Sequence, residues 1–366
     1  MVRSKAVITI CIVAITGSIT LAQLPEHFDW RNENGENWMT SVKEQGLCGS
    51  CWAFAAVGTV EAQFNIFFDW AEYDIKLSEE DLVACSYRGD CSGGSHPGAL
   101  EYIRDFGITD ESCFPYVDTL CPKECGCAHG CSNAECSDKC AQWNIRLWKI
   151  NNVEQISGTV EAIKNYVYNV GPVAVLMVWS GDFDPDGIWR CSGGGYYLHA
   201  IIVVGWDDPG GYWICKNSWG KGWDPWSPDG YFKVAFGICG IEGCPFGAIL
   251  TNPDVDKFYV QNASGETVAW FGDLGNIVLK GTLVSGGTCA APSGSFIIAN
   301  SAGETVAYVD NQGNLCVQGS WSEQCGTCSP ATDAFIIQDS SGTTVSYIDF
   351  DGNLCLTGKL YQHPNP

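Results

Sequence analysis

The chain has 366 residues, with 42 acidic and 19 basic side chains and a formal net charge of −23 at pH 7. Its 46% hydrophobic and 12% aromatic residues are enough for packed cores, which excludes a mainly disordered protein. An isoelectric point near 4.4 argues against a nucleic-acid-binding protein and against docking on anionic membranes. The 21 cysteines predict a disulfide-rich protein of an exported compartment.

The N-terminus has the pattern of a secretory signal peptide. Arg3 and Lys5 precede an apolar stretch, and Thr20 and Ala22 occupy the −3 and −1 positions of a cleavage site. We predict a signal peptide over residues 1–22 and a mature chain that is secreted and extracellular, or lies in a lysosome-like compartment or the periplasm, depending on the host. An uncleaved anchor is the alternative, but the stretch is at the short end for a membrane span. No other segment is apolar enough to cross a membrane, so no span is expected after signal cleavage.

A candidate nucleophile lies at the start of a predicted helix. After Ser50 the chain changes to a helical pattern, which places Cys51 at the helix N-terminus. Backbone N–H groups and the helix dipole favour an anion there, so the thiol is expected to ionise readily. A thiolate nucleophile also needs a partner that holds charge and moves protons.

Two later segments supply that partner and its support. His199 opens a run of apolar residues that predicts a strand, and a rigid strand end can fix an imidazole. Asn217 follows the next predicted strand, where its side chain can accept the second N–H of the histidine. Trp219 can shield that hydrogen bond from water. Taken singly, each residue has a plainer interpretation: Cys51 as half of a disulfide, His199 as a core residue and Asn217 as a turn residue.

Taken together, these residues resemble the papain family of cysteine peptidases, which includes the cathepsins. Residues 45–55 read QGLCGSCWAFA, and the family signature is Cys-Gly-[Ser/Ala]-Cys-[Trp/Tyr] with a His and an Asn roughly 130–150 residues later. Here His199 lies 148 residues after Cys51, and Asn217 lies 166 residues after it. The resemblance covers roughly residues 24 to 250.

The resemblance implies a role for each residue of the set. Cys51 is expected to be the nucleophile, His199 the general base and acid, and Asn217 the residue that orients His199. Gln45 is expected to donate its amide to the oxyanion beside the backbone N–H of Cys51. The implied fold class is α+β: a papain-like two-lobed fold, with a helical lobe that carries Cys51 and a β-barrel-like lobe that carries His199. No cofactor and no metal are expected.

Residues 91–94 (Cys-Ser-Gly-Gly) resemble the family's Cys-x-Gly-Gly turn. Gly93 and Gly94 are expected to pair with an extended substrate, because glycine lets another backbone approach closely. Trp219 is grouped with them as substrate-binding, and protein or peptide substrates are the expected partners. The main specificity pocket is expected to draw on Ser95, His96, Ala174, Tyr197 and the surface near Ile241.

A cysteine-rich insertion spans about residues 113–140. In an exported protein it favours a disulfide knot, although its cysteines and His129 also suit a zinc site. It falls where the family member cathepsin B carries a loop that blocks one end of the cleft and holds a substrate C-terminus with histidine. The resemblance makes His129 the candidate for that role here. No inhibitory propeptide is visible before Leu24, unlike in most relatives.

The resemblance also implies a disulfide scheme. It pairs Cys48 with Cys91, Cys85 with Cys121 and Cys191 with Cys239, and it leaves Cys51 and Cys215 as free thiols. The other cysteines form two groups of six, each expected to make three bridges whose pairing is not deducible. The groups are Cys113, Cys125, Cys127, Cys131, Cys136 and Cys140, and Cys244, Cys289, Cys316, Cys325, Cys328 and Cys355.

The C-terminal third contains three copies of one pattern, over about residues 258–281, 296–319 and 335–358. Each copy predicts three short strands joined by turns with glycine, which is typical of β units that stack together. We predict a peptidase domain over 23–251 and an all-β three-repeat domain over 252–366. One position repeats as Trp270, Tyr308 and Tyr347; core packing is favoured there over a sugar-stacking platform.

The sequence therefore predicts a secreted cysteine endopeptidase that acts through a thioester on Cys51. Two alternatives stay open. The first is a carboxypeptidase-type exopeptidase whose cleft is blocked by the insertion. The second is a non-catalytic binding or adhesion protein on a peptidase scaffold. A surface or polysaccharide ligand is a further possibility for the repeats.

Overall fold

The structure is a computed structural model. It describes residues 24–117, 134–141, 143–192, 197–251, 257–272, 276–323, 329, 334–339 and 342–362. The predicted signal peptide and most of the cysteine-rich insertion, including His129, lie outside the described residues, as does the predicted linker after residue 251. Within the described ranges, no helix has both the length and the apolar character needed to cross a membrane.

Four α-helices form among the described residues of the first half of the chain. They are α1 (Cys51–Phe68), α2 (Glu79–Cys85), α3 (His96–Asp105) and α4 (Val160–Asn169). The three later helices begin at Ser or Thr caps, whose hydroxyl accepts an N–H of the first turn. The first helix is capped at its C-terminus by Asp69, which adopts the left-handed conformation with φ 52°. Short 3₁₀ turns cover Ala71–Tyr73, Cys136–Asp138 and Trp143–Ile145.

A nine-stranded sheet follows and packs on one side of α1. Its strands pair in the order β4-β11-β5-β8-β9-β10-β7-β6, with β1 added beside β8. A separate two-stranded ribbon joins β2 and β3. The bounds are β1 (His27–Asp29), β2 (Gly89–Asp90), β3 (Gly93–Gly94), β4 (Asn152–Gln155), β5 (Val173–Val178), β6 (Gly181–Phe183), β7 (Ile188–Cys191), β8 (Leu198–Asp207), β9 (Tyr212–Lys216), β10 (Tyr231–Ala235) and β11 (Phe246–Ile249).

Helix α1 lies between two hydrophobic cores, which explains why it is apolar on nearly all sides. Ala55 and Ala62 belong to a sheet core with β5, β8 and β9. Phe64 and Phe68 belong to a helical core with α2 and α3. Gly58 permits the close approach to the sheet, since an added Cβ would lie 2.6 Å from the Cδ1 atom of Ile202. The helix therefore has fixed neighbours on both sides, and its N-terminus is fixed with it.

The remaining strands form three four-stranded sheets, called here the C-terminal sheets (residues 257–362). Their orders are β12-β13-β14-β23, β15-β18-β17-β16 and β19-β22-β21-β20. The bounds are β12 (Lys257–Gln261), β13 (Thr267–Gly272), β14 (Ile277–Leu279), β15 (Leu283–Ser285), β16 (Phe296–Ala299), β17 (Thr305–Val309), β18 (Leu315–Val317), β19 (Trp321–Ser322), β20 (Phe335–Gln338), β21 (Thr344–Ile348), β22 (Leu354–Leu356) and β23 (Leu360–Gln362).

The three sheets are interlocked in a closed cycle. Each contains three antiparallel strands from one sequence copy and a fourth, parallel strand from the segment after another copy. At each place where the fourth strand is added, an asparagine Oδ1 accepts a backbone N–H at 2.9 Å. Asn276 accepts from Lys359, Asn314 from Thr282, and Asn353 from Ser320. The last strand thus completes the first sheet, which also removes one open sheet edge.

The first C-terminal sheet packs against the helical core. The Trp270 ring lies 5.6 Å from that of Phe68, and the Tyr361 ring lies 5.4 Å from that of Trp148. Lys257 Nζ donates to the Phe68 carbonyl at 2.9 Å. Trp270 is only 1% exposed, so it is a packing residue and not a stacking platform. Its counterparts in the other two copies are half-buried.

The disulfides correct part of the sequence scheme. The bridges Cys48–Cys91 and Cys191–Cys239 are present, as implied by the resemblance. Cys85 pairs with Cys136 and not with Cys121, because α2 and the 3₁₀ turn at Cys136 bring their Cα atoms to 5.1 Å. Two further bridges, within the groups left open, are Cys113–Cys140 and Cys289–Cys316. Cys244, which the scheme assigned to a bridge, is a free thiol, as is buried Cys215.

Candidate active site

Cys51 is the first residue of α1, as the sequence predicts. Ser50 caps the helix through its carbonyl, which accepts the Ala53 N–H at 2.8 Å. The Cys51 Sγ atom accepts a hydrogen bond from the Ala200 backbone N–H at 3.5 Å. This contact joins the N-terminus of α1 to the start of β8. It places the thiol beside His199, the residue before Ala200 in the chain.

His199 and Asn217 meet through the pairing of β8 and β9. The Nε2 atom of His199 lies 2.8 Å from Oδ1 of Asn217, and both residues are about 95% buried. The Ser218 N–H donates to the same Oδ1 at 2.8 Å, which fixes the orientation of the amide. Because Oδ1 can only accept, Nε2 carries the proton, and Nδ1 of the neutral ring is left as the acceptor.

Two tryptophans enclose the imidazole of His199. The Trp219 ring stacks on it with centroids 4.5 Å apart and an interplanar angle of 25°. Trp179 meets it edge-on at 5.3 Å and 79°. The shielding role expected for Trp219 fits this stacking, whereas the sequence analysis did not identify Trp179. Aromatic rings on two sides of the imidazole shield the buried His199–Asn217 hydrogen bond from water, which strengthens it.

Gln45 joins the same group through both ends of its side-chain amide. Its Nε2 donates to the Cys48 carbonyl at 2.8 Å, and its Oε1 accepts from the Ser218 hydroxyl at 2.6 Å. These two bonds hold the amide in one orientation. The second N–H of Nε2 remains as a donor. Neither Cys48 nor Ser218 was identified as a support of Gln45 from the sequence.

Gly93 and Gly94 form β3 in the ribbon beside α1. Gly93 has φ +127°, a conformation that favours glycine, and an added Cβ would meet no atom within 4 Å. At Gly94 an added Cβ would lie 2.4 Å from the Trp52 ring. Gly94 is therefore required by packing against Trp52, which sequence reasoning missed. The open space at Gly93 is compatible with an approaching substrate backbone.

The electrostatics differ from the expectation at Cys51. Burial raises the pKa of the Cys51 thiol, and backbone hydrogen bonds from Ala200, Trp52 and Cys51 itself only partly oppose it. Burial also lowers the pKa of His199 to about 4, against the opposing hydrogen bond with Asn217. At Cys51, desolvation thus outweighs the backbone donors that the helix N-terminus was expected to supply. Each group by itself favours its neutral form.

Comparison with known proteins identifies the family to which this arrangement of residues belongs. Residues 24–249 match the model of the papain family of cysteine proteases. The chain belongs to this family. It is 33% identical to a viral cathepsin of Choristoneura fumiferana nuclear polyhedrosis virus over 225 residues, covering 60% of this chain and 62% of that relative. It is also 33% identical to the thiol protease aleurain of Arabidopsis thaliana over 252 residues, covering 64% of this chain and 63% of that relative.

The chain thus spans a little under two thirds of the length of these papain-family relatives. A solved structure, the Carica candamarcensis cysteine protease CMS1MS2 in complex with E-64, is 26% identical with a TM-score of 0.49. That match covers 63% of this chain and 100% of the other. The C-terminal sheets lie beyond the residues that the family model matches.

The specificity pocket expected from the papain-family resemblance stays a prediction. His96, Ala174 and Ile241 are all buried, whereas Tyr197 is 75% exposed. The Ser95 hydroxyl is occupied as the cap of α3, where it accepts the Gly98 N–H.

His96 gives a prediction for stability at acid pH. Its Nε2 lies 3.0 Å from the Cys244 carbonyl, and burial lowers its pKa from 6.5 to about 4. Between those two values the unfolded chain binds a proton that the folded chain does not, so stability falls as pH falls. We expect His96→Gln to reduce that loss by about 3 kcal/mol at pH 4. Urea unfolding at pH 7 and pH 4 measures the difference; identical losses in both proteins would contradict it.

Proposed function

We propose that the chain is a secreted cysteine endopeptidase that hydrolyses peptide bonds through a thioester on Cys51. The observation that carries the proposal is the 2.8 Å His199–Asn217 hydrogen bond beside the Cys51 thiol, which the Ala200 N–H contacts at 3.5 Å. Family membership over residues 24–249 supports the same conclusion.

In the proposed mechanism, His199 moves the proton and Cys51 makes the bond. Nδ1 of His199 takes the proton of the Cys51 thiol while the sulfur attacks the substrate carbonyl. The imidazolium that forms is stabilised by its bond to Asn217. The imidazolium then protonates the departing amine. A water molecule, deprotonated by the same nitrogen, hydrolyses the thioester and restores the thiol.

The oxyanion of each tetrahedral intermediate is proposed to lie between two donors. One is the free N–H of Gln45 Nε2, and the other is the backbone N–H of Cys51 at the helix N-terminus. The bonds from Gln45 to Cys48 and from Ser218 hold the first donor in place before the charge develops. Donors fixed in advance cost no reorganisation, which is why such sites stabilise the transition state strongly.

We further propose the domain division 23–251 and 252–366, with the C-terminal sheets as one three-repeat module. The exchange of strands between the sheets, and the asparagine hydrogen bonds that join them, support treating the three copies as one unit. Five disulfides among the described residues support an oxidising, extracellular location. The module is proposed to bind a surface or polysaccharide, a role for which Trp270 is not available.

The test is a titration of the folded, oxidised chain with an epoxide inhibitor of cysteine peptidases. We expect one equivalent of label on Cys51 and a parallel loss of peptide hydrolysis. The Cys51→Ala variant is the control, and it reports any reaction at the free thiols of Cys215 and Cys244. A folded chain without label or hydrolysis would contradict the proposal and favour the non-catalytic alternative.

The same preparation separates endopeptidase from exopeptidase action. The carboxypeptidase alternative depends on the insertion around His129, which lies outside the described residues. Matched peptides with a free or an amidated C-terminus distinguish the two. An endopeptidase cleaves both at similar rates, whereas an exopeptidase that holds the terminal carboxylate cleaves only the free form.

A further inference from the structure

A cluster of buried charges lies between α1 and the strand that leads to Asn217. Glu61 on α1, Glu79 at the start of α2 and Lys216 at the end of β9 are each at most 5% exposed. Lys43 Nζ donates to Glu61 at 2.8 Å and to Glu79 at 2.9 Å. Buried charges are costly unless they are paired and hydrogen-bonded, so this cluster requires an explanation.

Thr40 connects the two halves of the cluster. Its hydroxyl donates to Glu61 Oε2 at 2.7 Å, while its carbonyl accepts from Lys216 Nζ at 2.8 Å. Lys216 Nζ also lies 3.1 Å from the Thr40 hydroxyl oxygen. A continuous chain of hydrogen bonds therefore runs from Glu61, ten residues after Cys51 on α1, to the residue directly before Asn217.

A small cavity of about 20 Å³ lies beside this chain. Its lining includes Lys43, Glu61, Glu79, Lys216 and Asn217. The volume suits one water molecule, which needs about 10–15 Å³ and two to four polar partners. Nδ2 of Asn217 is buried without a hydrogen-bond partner, although Oδ1 of the same amide is fully used. The ammonium of Lys216 has a third N–H beyond its two bonds to Thr40.

We propose that this cavity is the site of one buried water that accepts from Asn217 Nδ2 and from Lys216, and donates to a carboxylate of the cluster. Lys216 is then a positioning residue. It holds Asn217 in place, and Asn217 in turn orients His199 relative to Cys51 on α1. The proposal rests on the proposed peptidase activity. It gives the buried charges a role in the site as well as in stability.

Geometry favours this role over simple packing. An apolar residue at position 216 would fill the same space without the cost of burying an ammonium, which lowers the pKa of Lys216 to about 8. Gly58 keeps the space open, since an added Cβ would lie 3.9 Å from Lys216 Nζ and 2.6 Å from Ile202 Cδ1. Without the water, the amide of Asn217 is anchored through Oδ1 alone.

The test replaces Lys216 with methionine, which keeps the length of the side chain and removes the donors. We expect kcat to fall about tenfold, the effect of one buried hydrogen bond, with KM changed less than about twofold. The rate at which iodoacetamide alkylates Cys51 should fall in parallel, because it depends on His199 and not on substrate. Lys233→Met is the matched control, on the neighbouring strand β10 and outside the cluster.

Three outcomes overturn the proposal. The first is a Lys216→Met enzyme with wild-type kcat and alkylation rate but a lower Tm, which would make the cluster purely structural. The second is an equal effect of Lys233→Met. The third is a high-resolution crystal structure without ordered water between Asn217 and Lys216. An inactive wild-type chain would instead refute the proposed function.

A second variant tests the proposal if the Lys216→Met protein does not fold. Thr40→Val removes the hydroxyl that links Lys216 to Glu61 and keeps the shape and the backbone carbonyl. We expect a smaller loss of kcat in the same direction, again without a matching change in KM. Wild-type kcat in a folded Thr40→Val enzyme would also count against the proposal.

Discussion

Replacing His199 with glutamine is expected to lower kcat for peptide hydrolysis at least about 10⁴-fold, because one nitrogen serves as base and acid in the proposed mechanism. The same change should move the alkylation of Cys51 to higher pH. Without His199 to take its proton, the thiol must ionise alone, and burial raises the pKa of Cys51. The pH profile of iodoacetamide labelling measures this shift, and peptide assays measure kcat.

The matched control for this substitution is His27→Gln. His27 is on β1, and its side chain is 57% exposed. It contacts Asp207 at 3.2 Å and has no part in the proposed mechanism. It should leave kcat and labelling unchanged. If His199→Gln kept hydrolysis within tenfold of wild type, another group would have to move the proton. The assignment of His199 would then be wrong even in an active enzyme.

Replacing Trp270 with alanine is expected to lower the free energy of unfolding by about 3–5 kcal/mol. Its ring is 1% exposed and packs on Phe68, at the end of the helix that begins with Cys51. The substitution leaves a cavity between the first C-terminal sheet and the helical core. Urea unfolding followed by tryptophan fluorescence and by far-ultraviolet circular dichroism measures the loss.

Two controls make this result specific to the contact. Tyr308→Ala changes the corresponding, half-buried position of the second copy and should cost about 1 kcal/mol. Trp270→Phe keeps an aromatic ring and removes an indole N–H that is buried without a partner, so it should cost much less than alanine. Equal losses for Trp270→Ala and Tyr308→Ala would mean that the contact with Phe68 does not stabilise the protein.

Much of the site was accessible from local sequence patterns. The helical pattern after Ser50 correctly predicts that Cys51 begins α1, and the apolar run after His199 predicts β8. Both signals are short-range, since they depend on side-chain periodicity and on where it starts. The three repeated patterns predict strands that the structure also contains, because turns with glycine and alternating β-branched residues act locally.

Partners distant in the chain were not accessible in this way. The pairing of Cys85 with Cys136 depends on where a 3₁₀ turn lies against α2, and composition cannot select among many pairings. The burial of Trp270 against Phe68 depends on a contact between residues about two hundred positions apart. The high pKa of Cys51 follows from desolvation, which only the packed structure sets.

The sequence by itself determined the family and the local elements around the predicted site residues, because motif spacing and periodicity are properties of the chain. Only the tertiary structure decided what holds those residues in place. Ser218 fixes Gln45, and Thr40 joins Lys216 to Glu61, because separate elements bring their polar atoms within hydrogen-bond distance. Such hydrogen bonds join buried polar groups that packing brings together from distant parts of the chain, so no local sequence pattern predicts them.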